Sequence, residues 1–283
     1  MLIQKITKLY LKGEKDTMII VGEKINTSLK GVKEAVINRD VDFIQKLAME
    51  QEKNGADYID VNCGTLINEE VEALPWLVKT VQQVVDKPCC IDSPNPEAIA
   101  AALKVHKGKA MINSITGEES RYEQIVPLVK EYKSGIVALT MDDDSGISED
   151  ANIRITIGEK LIDRLNKDGI PIEDIYIDPL IQPISTSSNM GIVALDTIKA
   201  IKEKYPKVHF MCGLSNVSFG LPKRGLLNYT FLVLCMMAGL DGAILDPGNR
   251  QMMAMIVAAE ALLNKDEFTM NYLQAFRDGL LEA

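Results

Sequence analysis

A chain of 283 residues, 47% hydrophobic and 25% charged, has length and apolar content enough for a sizeable core, which excludes general disorder. Its net charge of -9 leaves no diffuse basic surface to neutralise phosphates, which excludes nucleic acid as a main partner. The five cysteines, Cys63, Cys89, Cys90, Cys212 and Cys235, form no CxxC pair and follow no export signal, so reduced thiols and a cytoplasmic protein are expected.

Residues 1–17 set Lys5, Lys8, Lys12 and Lys15 among Ile3, Ile6, Leu9 and Leu11, a weakly amphipathic lead-in read as an extension outside the core. Met18 to Val21 is the first strand, closed by Gly22-Glu23-Lys24 and a loop from Asn26 to Gly31. Asp40 caps a helix that ends at Gly55. Tyr58 to Val61 is strand two, leaving on Asn62-Cys63-Gly64, and a helix over 69–85 follows. Cys89 to Ile91 is strand three, closed by Asp92-Ser93; Asn95, Pro96 and Glu97 then supply a cap, a first-turn proline and a first-turn acid.

Ala110 to Ile112 is strand four, ending on Asn113-Ser114, and Ile136 to Thr140 is strand five, ending in Asp142-Asp143-Asp144. Ile175 to Ile177 is strand six, closed by Asp178-Pro179 and a polar loop. Val208 to Cys212 is strand seven, where Gly213 allows a sharp exit to Ser215-Asn216. Gly242 to Leu245 is strand eight, closing on Asp246. The most apolar run, Phe231 to Leu240, falls short of the ~20 residues that span a bilayer, so it is a core helix or an interface and no membrane span is expected.

Eight strands, each followed by a helical pattern with connections short enough to force right-handed crossovers, predict a single-domain α/β chain, a (β/α)8 TIM barrel over 18–265 with a helical tail over 266–283. A doubly wound open sheet is the rival, but it needs polar residues at one crevice and not after every strand. Here the strand ends are Glu23, Asn62, Asp92, Asn113, Asp142, Asp178, Asn216 and Asp246. For Asp92 and Asp178 taken singly, turn-opening chemistry is the competing reading; the ring as a whole exceeds what turns or solubility require.

The ring narrows the ligand. A metal site wants histidines or a tight carboxylate cluster, and the two histidines, His106 and His209, lie away from the strand ends, so no metal is expected in this chain. Cys89 and Cys90 are adjacent in a strand and face opposite ways. A phosphate site wants glycine-rich helix starts, of which Gly242 and Gly248 are a weak version. A heterocycle rich in N–H donors, such as the 2-amino-4-oxo face of a pterin, suits carboxylate acceptors flanked by amides.

IDSPN at Ile91–Asn95, MINS at Met111–Ser114, YIDPLI at Tyr176–Ile181 and GLSNVS at Gly213–Ser218 resemble, in order and spacing, the pterin-binding barrel of methyltetrahydrofolate:corrinoid protein methyltransferases. GEKIN near the start and the segment from Arg224 through LLNYTF look like the same family. The resemblance implies that Asp92, Asn113 and Asp178 hold the pterin ring and that Asn216 lies beside the methyl-bearing nitrogen as the catalytic donor. It also implies that Gly213 and Ser215 line the folate, that the corrinoid is supplied by a partner protein, and that the chain is a homodimer. Arg224, and less directly Lys24, are candidates for the folate's glutamate tail, with a surface salt bridge as the alternative for each.

The chain departs from the family at Phe219-Gly220, where Gln-Asn is usual, at Lys24 in place of Arg, and at Pro94 in place of Thr. Dihydropteroate synthase shares the pterin barrel, but its serine-arginine-lysine and serine-threonine-arginine runs are replaced here by Ser215-Asn216-Val217 and Gly64-Thr65-Leu66. A non-catalytic folate- or corrinoid-binding protein is the remaining alternative; a corrinoid carrier would show an Asp-x-His-x-x-Gly loop, and neither histidine sits in one.

Overall fold

The computed structural model describes residues 17–281, so the expected extension at 1–17 lies, but for Thr17, outside the described residues. Eight parallel strands close on themselves in chain order, β1 (Ile19–Asn26), β2 (Tyr58–Asn62), β3 (Cys89–Asp92), β4 (Met111–Ile115), β5 (Gly135–Leu139), β6 (Ile175–Asp178), β7 (His209–Gly213) and β8 (Gly242–Leu245), with β1 paired to β8. The helices around them are α1 (Lys30–Ile37), α2 (Val41–Lys53), α3 (Glu70–Val81), α4 (Pro96–Leu103), α5 (Glu119–Tyr132), α6 (Ala151–Lys167), α7 (Met190–Lys204), α8 (Arg224–Ala238), α9 (Arg250–Leu262) and α10 (Met270–Arg277). The architecture is the expected (β/α)8 barrel.

Local chemistry fixes several helix starts. Asp40 accepts from the Phe43 amide and Asn95 from the Glu97 amide, with Pro96 in the first turn, so α2 and α4 begin where their side-chain caps stand. The first strand is longer than the sequence suggests. It runs through Glu23 and Lys24 to Asn26 because Ile25 is buried and pairs with Val61, after a register shift between Gly22 and Ile25. Between the loop expected over Asn26 to Gly31 and the cap at Asp40 stands α1, a helix the sequence does not signal: it follows Leu29 without a side-chain cap and carries Gly31 at its second position.

The core has two parts. The larger packs the outer faces of the strands against the helices and contains Cys89, Ile59, Ile91, Ile112 and Phe210. The smaller fills the barrel and contains Val21, Cys90, Met111, Val137, Tyr176 and Met211. Cys89 and Cys90 therefore do point to opposite sides of β3, and all five cysteines are buried and unbridged. Because side chains alternate along a strand, the residue two past each interior residue also faces inward, one layer nearer the carboxyl end. From Cys90, Met111, Tyr176 and Met211 that rule leads to Asp92, Asn113, Asp178 and Gly213.

No helix of the described residues is long and apolar enough to cross a membrane.

Candidate functional site

The barrel mouth is a ring of half-buried polar groups above the apolar plug. Asp92 and Asn113 are register partners on β3 and β4, and Asp92 is also the partner of Asn62 on β2. Asn62 uses both ends of its carboxamide, donating through Nδ2 to Asp92 Oδ2 at 2.8 Å and accepting from the Gly64 amide at 3.0 Å. The Asn113–Ser114 peptide is cis. Across the mouth, Asp178 Oδ1 accepts from the Leu180 amide at 2.7 Å, so this residue opens its turn and still has a second oxygen.

Several ring members are committed elsewhere. Asp142 accepts from the Ser145 amide at 2.8 Å. Asp246 accepts from the Gly248 amide at 2.9 Å and pairs with Lys24 at 2.7 Å, which joins the ends of β1 and β8 and occupies the lysine considered for the glutamate tail.

Asn216 and Ser215 lie beyond β7 in a 3-10 turn, Leu214–Ser218, and both are exposed. Arg224, at the start of α8, donates to the Ser215 carbonyl at 2.6 Å and to Ser218 Oγ at 3.0 Å, so its guanidinium braces the Asn216 turn. Gly213 has φ of -81°, a conformation open to any residue, so the sharp exit does not require glycine. A Cβ there would meet no atom within 4 Å, so the space beside it is open. Phe219, at the end of the same turn, is 63% exposed, and its carbonyl accepts from Ser185 Oγ at 2.7 Å.

One residue of the interior was not singled out from the sequence. Asp60, two before Asn62 on β2, is 2% exposed, and its Oδ1 is buried without a hydrogen-bond partner among the described residues. Burial, with the Asp92 and Glu23 carboxylates nearby, raises its pKa well above the usual carboxylate range, while a hydrogen bond from Cys90 opposes the shift. The Asp92 carboxyl is raised as well, by burial first; Asn62 and Arg121 hold it down and Glu70 pushes it up. Asp178 is raised to about 7 by burial, against the Leu180 hydrogen bond and the Arg154 charge. All three shifts share one leading cause, burial, which disfavours the charged carboxylate.

The two histidines serve the frame. His106 accepts the Cys89 amide at 2.9 Å, and His209 pairs with Asp241 at 3.0 Å and stacks on Tyr176 at the amino-terminal end of the barrel. Among the described residues no three His, Cys, Asp or Glu side chains converge to hold a metal ion.

Residues 23–246 match the family described as pterin binding enzyme. The chain is 38% identical, over 93% of its length and 97% of the relative's, to the methylcorrinoid:tetrahydrofolate methyltransferase of Eubacterium limosum. It is 32% identical to the methionine synthase of Mycobacterium tuberculosis over 81% of this chain, which spans 20% of that larger protein. Among solved structures, dihydropteroate synthase from Clostridium difficile, in the presence of pteroic acid, superposes with a TM-score of 0.71 at 18% identity, covering 88% of this chain and 98% of that one. The Thermus thermophilus enzyme gives 0.65 at 19% identity, covering 87% and 95%. At such identities the two superpositions speak to the fold alone. With the family match covering the barrel from β1 to the end of β8, and a methyltransferase relative aligned along nearly its whole length, this chain belongs to the pterin binding enzyme family.

Proposed function

We propose that this enzyme moves a methyl group between nitrogen-5 of methyltetrahydrofolate and the cobalt of a corrinoid carried on a separate protein. The observation that supports the reading most is a combination: half-buried Asp92, Asn113 and Asp178 share a barrel mouth with exposed Asn216, in a chain whose 38% identical relative is named for that chemistry. Asp92 and Asp178 supply acceptors for the pterin N–H groups, and Asn113 can both donate and accept. Gly213 leaves room on the β7 side, and Ser215 and Arg224 border the folate next to Asn216.

A tertiary amine is a poor leaving group. As Co(I) contributes the electron pair of the new cobalt–carbon bond, nitrogen-5 takes back the pair of the breaking C–N bond and must gain a proton or a strong hydrogen bond. The Asn216 amide is the donor in this reading, and the turn braced by Arg224 fixes where it stands. Asp60, whose acidity burial weakens, lies one layer beneath the ring. Run in reverse, nitrogen-5 of tetrahydrofolate attacks the methyl of methylcobalt, cobalt keeps the electron pair, and the proton of nitrogen-5 is released to solvent at the open barrel mouth. The relative's name describes that second direction.

The reading carries a homodimer with the α8 surface as the candidate interface, since Leu226 and Met237 there are 71% and 72% exposed. Sedimentation returning a monomer at micromolar concentration would count against it. It also carries a cytoplasmic location, a barrel over 18–265 and flanking segments at 1–17 and 266–283.

Calorimetry of the purified protein with methyltetrahydrofolate tests the reading. Binding heat is expected, unchanged by a chelator, because the ring offers hydrogen bonds and no metal cage. No heat, or binding abolished by the chelator, would sink it.

A further inference from the structure

Two arginines reach under the pterin-facing ring from the first turns of the helices that follow β4 and β5. Arg121, in α5, donates to the carbonyls of Ser93, Pro94 and Ser114 at 2.8, 2.6 and 2.8 Å, tying the loop after Asp92 to the loop after Asn113. Arg154, in α6, donates to the carbonyls of Ser148, Pro179 and Leu180 at 2.6, 2.6 and 2.7 Å. Leu180 in turn has φ of 57° and gives its amide to Asp178. The loop that presents Asp178 is therefore held by the guanidinium at its carbonyls and by the carboxylate it carries at its amide.

Arg154 is unusual in itself. Among the described residues it is the largest of the fully buried side chains, its hydrogen bonds go to carbonyls, and its Nη2 has no partner. A buried cation of this kind is costly unless its charge is used. Two carboxylates act on it, Asp178 first and Glu149 second, and of these Asp178 stands in the ring.

We propose that Arg154 is a positioning residue for pterin recognition: it holds the Pro179–Leu180 turn in the shape that presents Asp178 and supplies the positive charge that favours Asp178 as an acceptor. The inference rests on the folate reading of the site and adds to it the group that sets how the pterin is read. The groups facing Asp178 are few. Arg154 comes from α6, the Cys212 thiol from β7, the Leu180 amide from its own loop, and Thr140, after β5, donates through N–H and Oγ1 to the Asp178 carbonyl at 3.1 Å each. Arg154 is the one cation acting on it among the described residues. Burial pushes the carboxyl up to about 7, and the Leu180 bond and the Arg154 charge hold it there. Without that charge burial acts with less opposition, and the carboxyl takes its proton at a higher pH.

The experiment is the dissociation constant of methyltetrahydrofolate as a function of pH for the full chain and for Arg154→Met and Arg154→Lys, with a melting curve for each protein. In the parent, affinity should rise through a midpoint at about pH 7. Arg154→Met should move that midpoint upward by about one unit or more, since an adjacent arginine lowers a carboxylate by roughly that much. Arg154→Lys keeps the charge but loses the planar fork, so its midpoint should stay while affinity falls severalfold at every pH. Should the methionine variant not fold, the lysine variant alone decides: parental affinity overturns the proposal. A folded methionine variant with parental affinity and midpoint does the same. A lowered melting temperature with unchanged binding also overturns it, leaving Arg154 a purely structural group. If the parent binds no folate at any pH, the folate reading itself falls and this inference with it; if the parent binds and the variants match it, the inference falls alone.

Discussion

Asn62 donates through Nδ2 to Asp92 Oδ2 at 2.8 Å across the β2–β3 pair in which the two residues are register partners. The bond divides the carboxylate: one oxygen is taken by the neighbouring strand, and the other remains for a ligand. In Asp92→Asn the amide oxygen would turn to Asn62, leaving an NH2 where the pterin needs an acceptor. Folate affinity should fall about 10- to 100-fold, the loss that accompanies roughly 1–3 kcal/mol for an unmet buried group. The rate at saturating folate should change little, because ground and transition states lose alike. Calorimetry and steady-state kinetics check both, and parental affinity in this variant would mean that Asp92 does not read the ring.

The raised carboxyls make a stability prediction. Asp60, Asp92 and Asp178 are all displaced upward, Asp178 to about 7 against an ordinary 3.8. Between those two values the folded protein binds more protons than the unfolded chain, so stability falls as pH rises through that window. Asp241, held low by His209 and Lys202 despite burial, acts oppositely and loses its contribution only when pH falls through its depressed value. The ligand-free protein should melt higher at about pH 5.5 than at about pH 8, by on the order of 5 °C, since about 1 kcal/mol corresponds to a few degrees at this size. Asp178→Asn should reduce the difference. A melting temperature that is flat or rising across the window contradicts the assignment.

At the other end of the barrel, Asp241 accepts from Lys202 Nζ at 2.8 Å, His209 Nδ1 at 3.0 Å and the Phe210 amide at 2.7 Å. Asp241→Ala leaves a buried amide without its acceptor and a part-buried lysine without its counter-charge, with only the Val208 carbonyl still accepting from it, and should cost about 3 kcal/mol in urea unfolding. Folate affinity should be unchanged at a pH and temperature where the variant is folded. A loss of affinity there would show that the two ends of the barrel are coupled.

The fold was legible because β-strand alternation and helix caps are local signals. Asp40 and Asn95 mark helix starts with their own side chains, whereas α1 was missed because Leu29 offers no cap and Gly31 disfavours a helix. The ring at Asp92, Asn113 and Asp178 was legible because each stands at a strand end. Asp60 obeys the same alternation one layer deeper, two residues before Asn62, and could have been found by counting back from the strand end. Gly213 is expected to allow a sharp exit and to line the folate; its φ of -81° removes the first reason, and the open space over it depends on neighbours distant in sequence. Arg121 and Arg154 left no local mark. An arginine in a first helical turn usually reads as surface, and only the packing of loops around the guanidinium groups makes Arg154 internal and Arg121 half-buried.

Single-turnover transfer between methyltetrahydrofolate and free cob(I)alamin, followed by the cobalt absorption spectrum, tests the central claim most directly when the parent and Asn216→Ala are run together. The parent should convert Co(I) to methylcobalt at the expense of the folate methyl. Asn216→Ala should bind folate with nearly parental affinity and transfer its methyl roughly 100-fold more slowly, because losing a donor that strengthens toward the transition state costs on the order of 3 kcal/mol of barrier. No transfer by the parent would contradict the methyltransferase account. Transfer by Asn216→Ala at the parental rate, with weakened folate binding, would reduce Asn216 to a positioning residue and require another route for the proton to nitrogen-5.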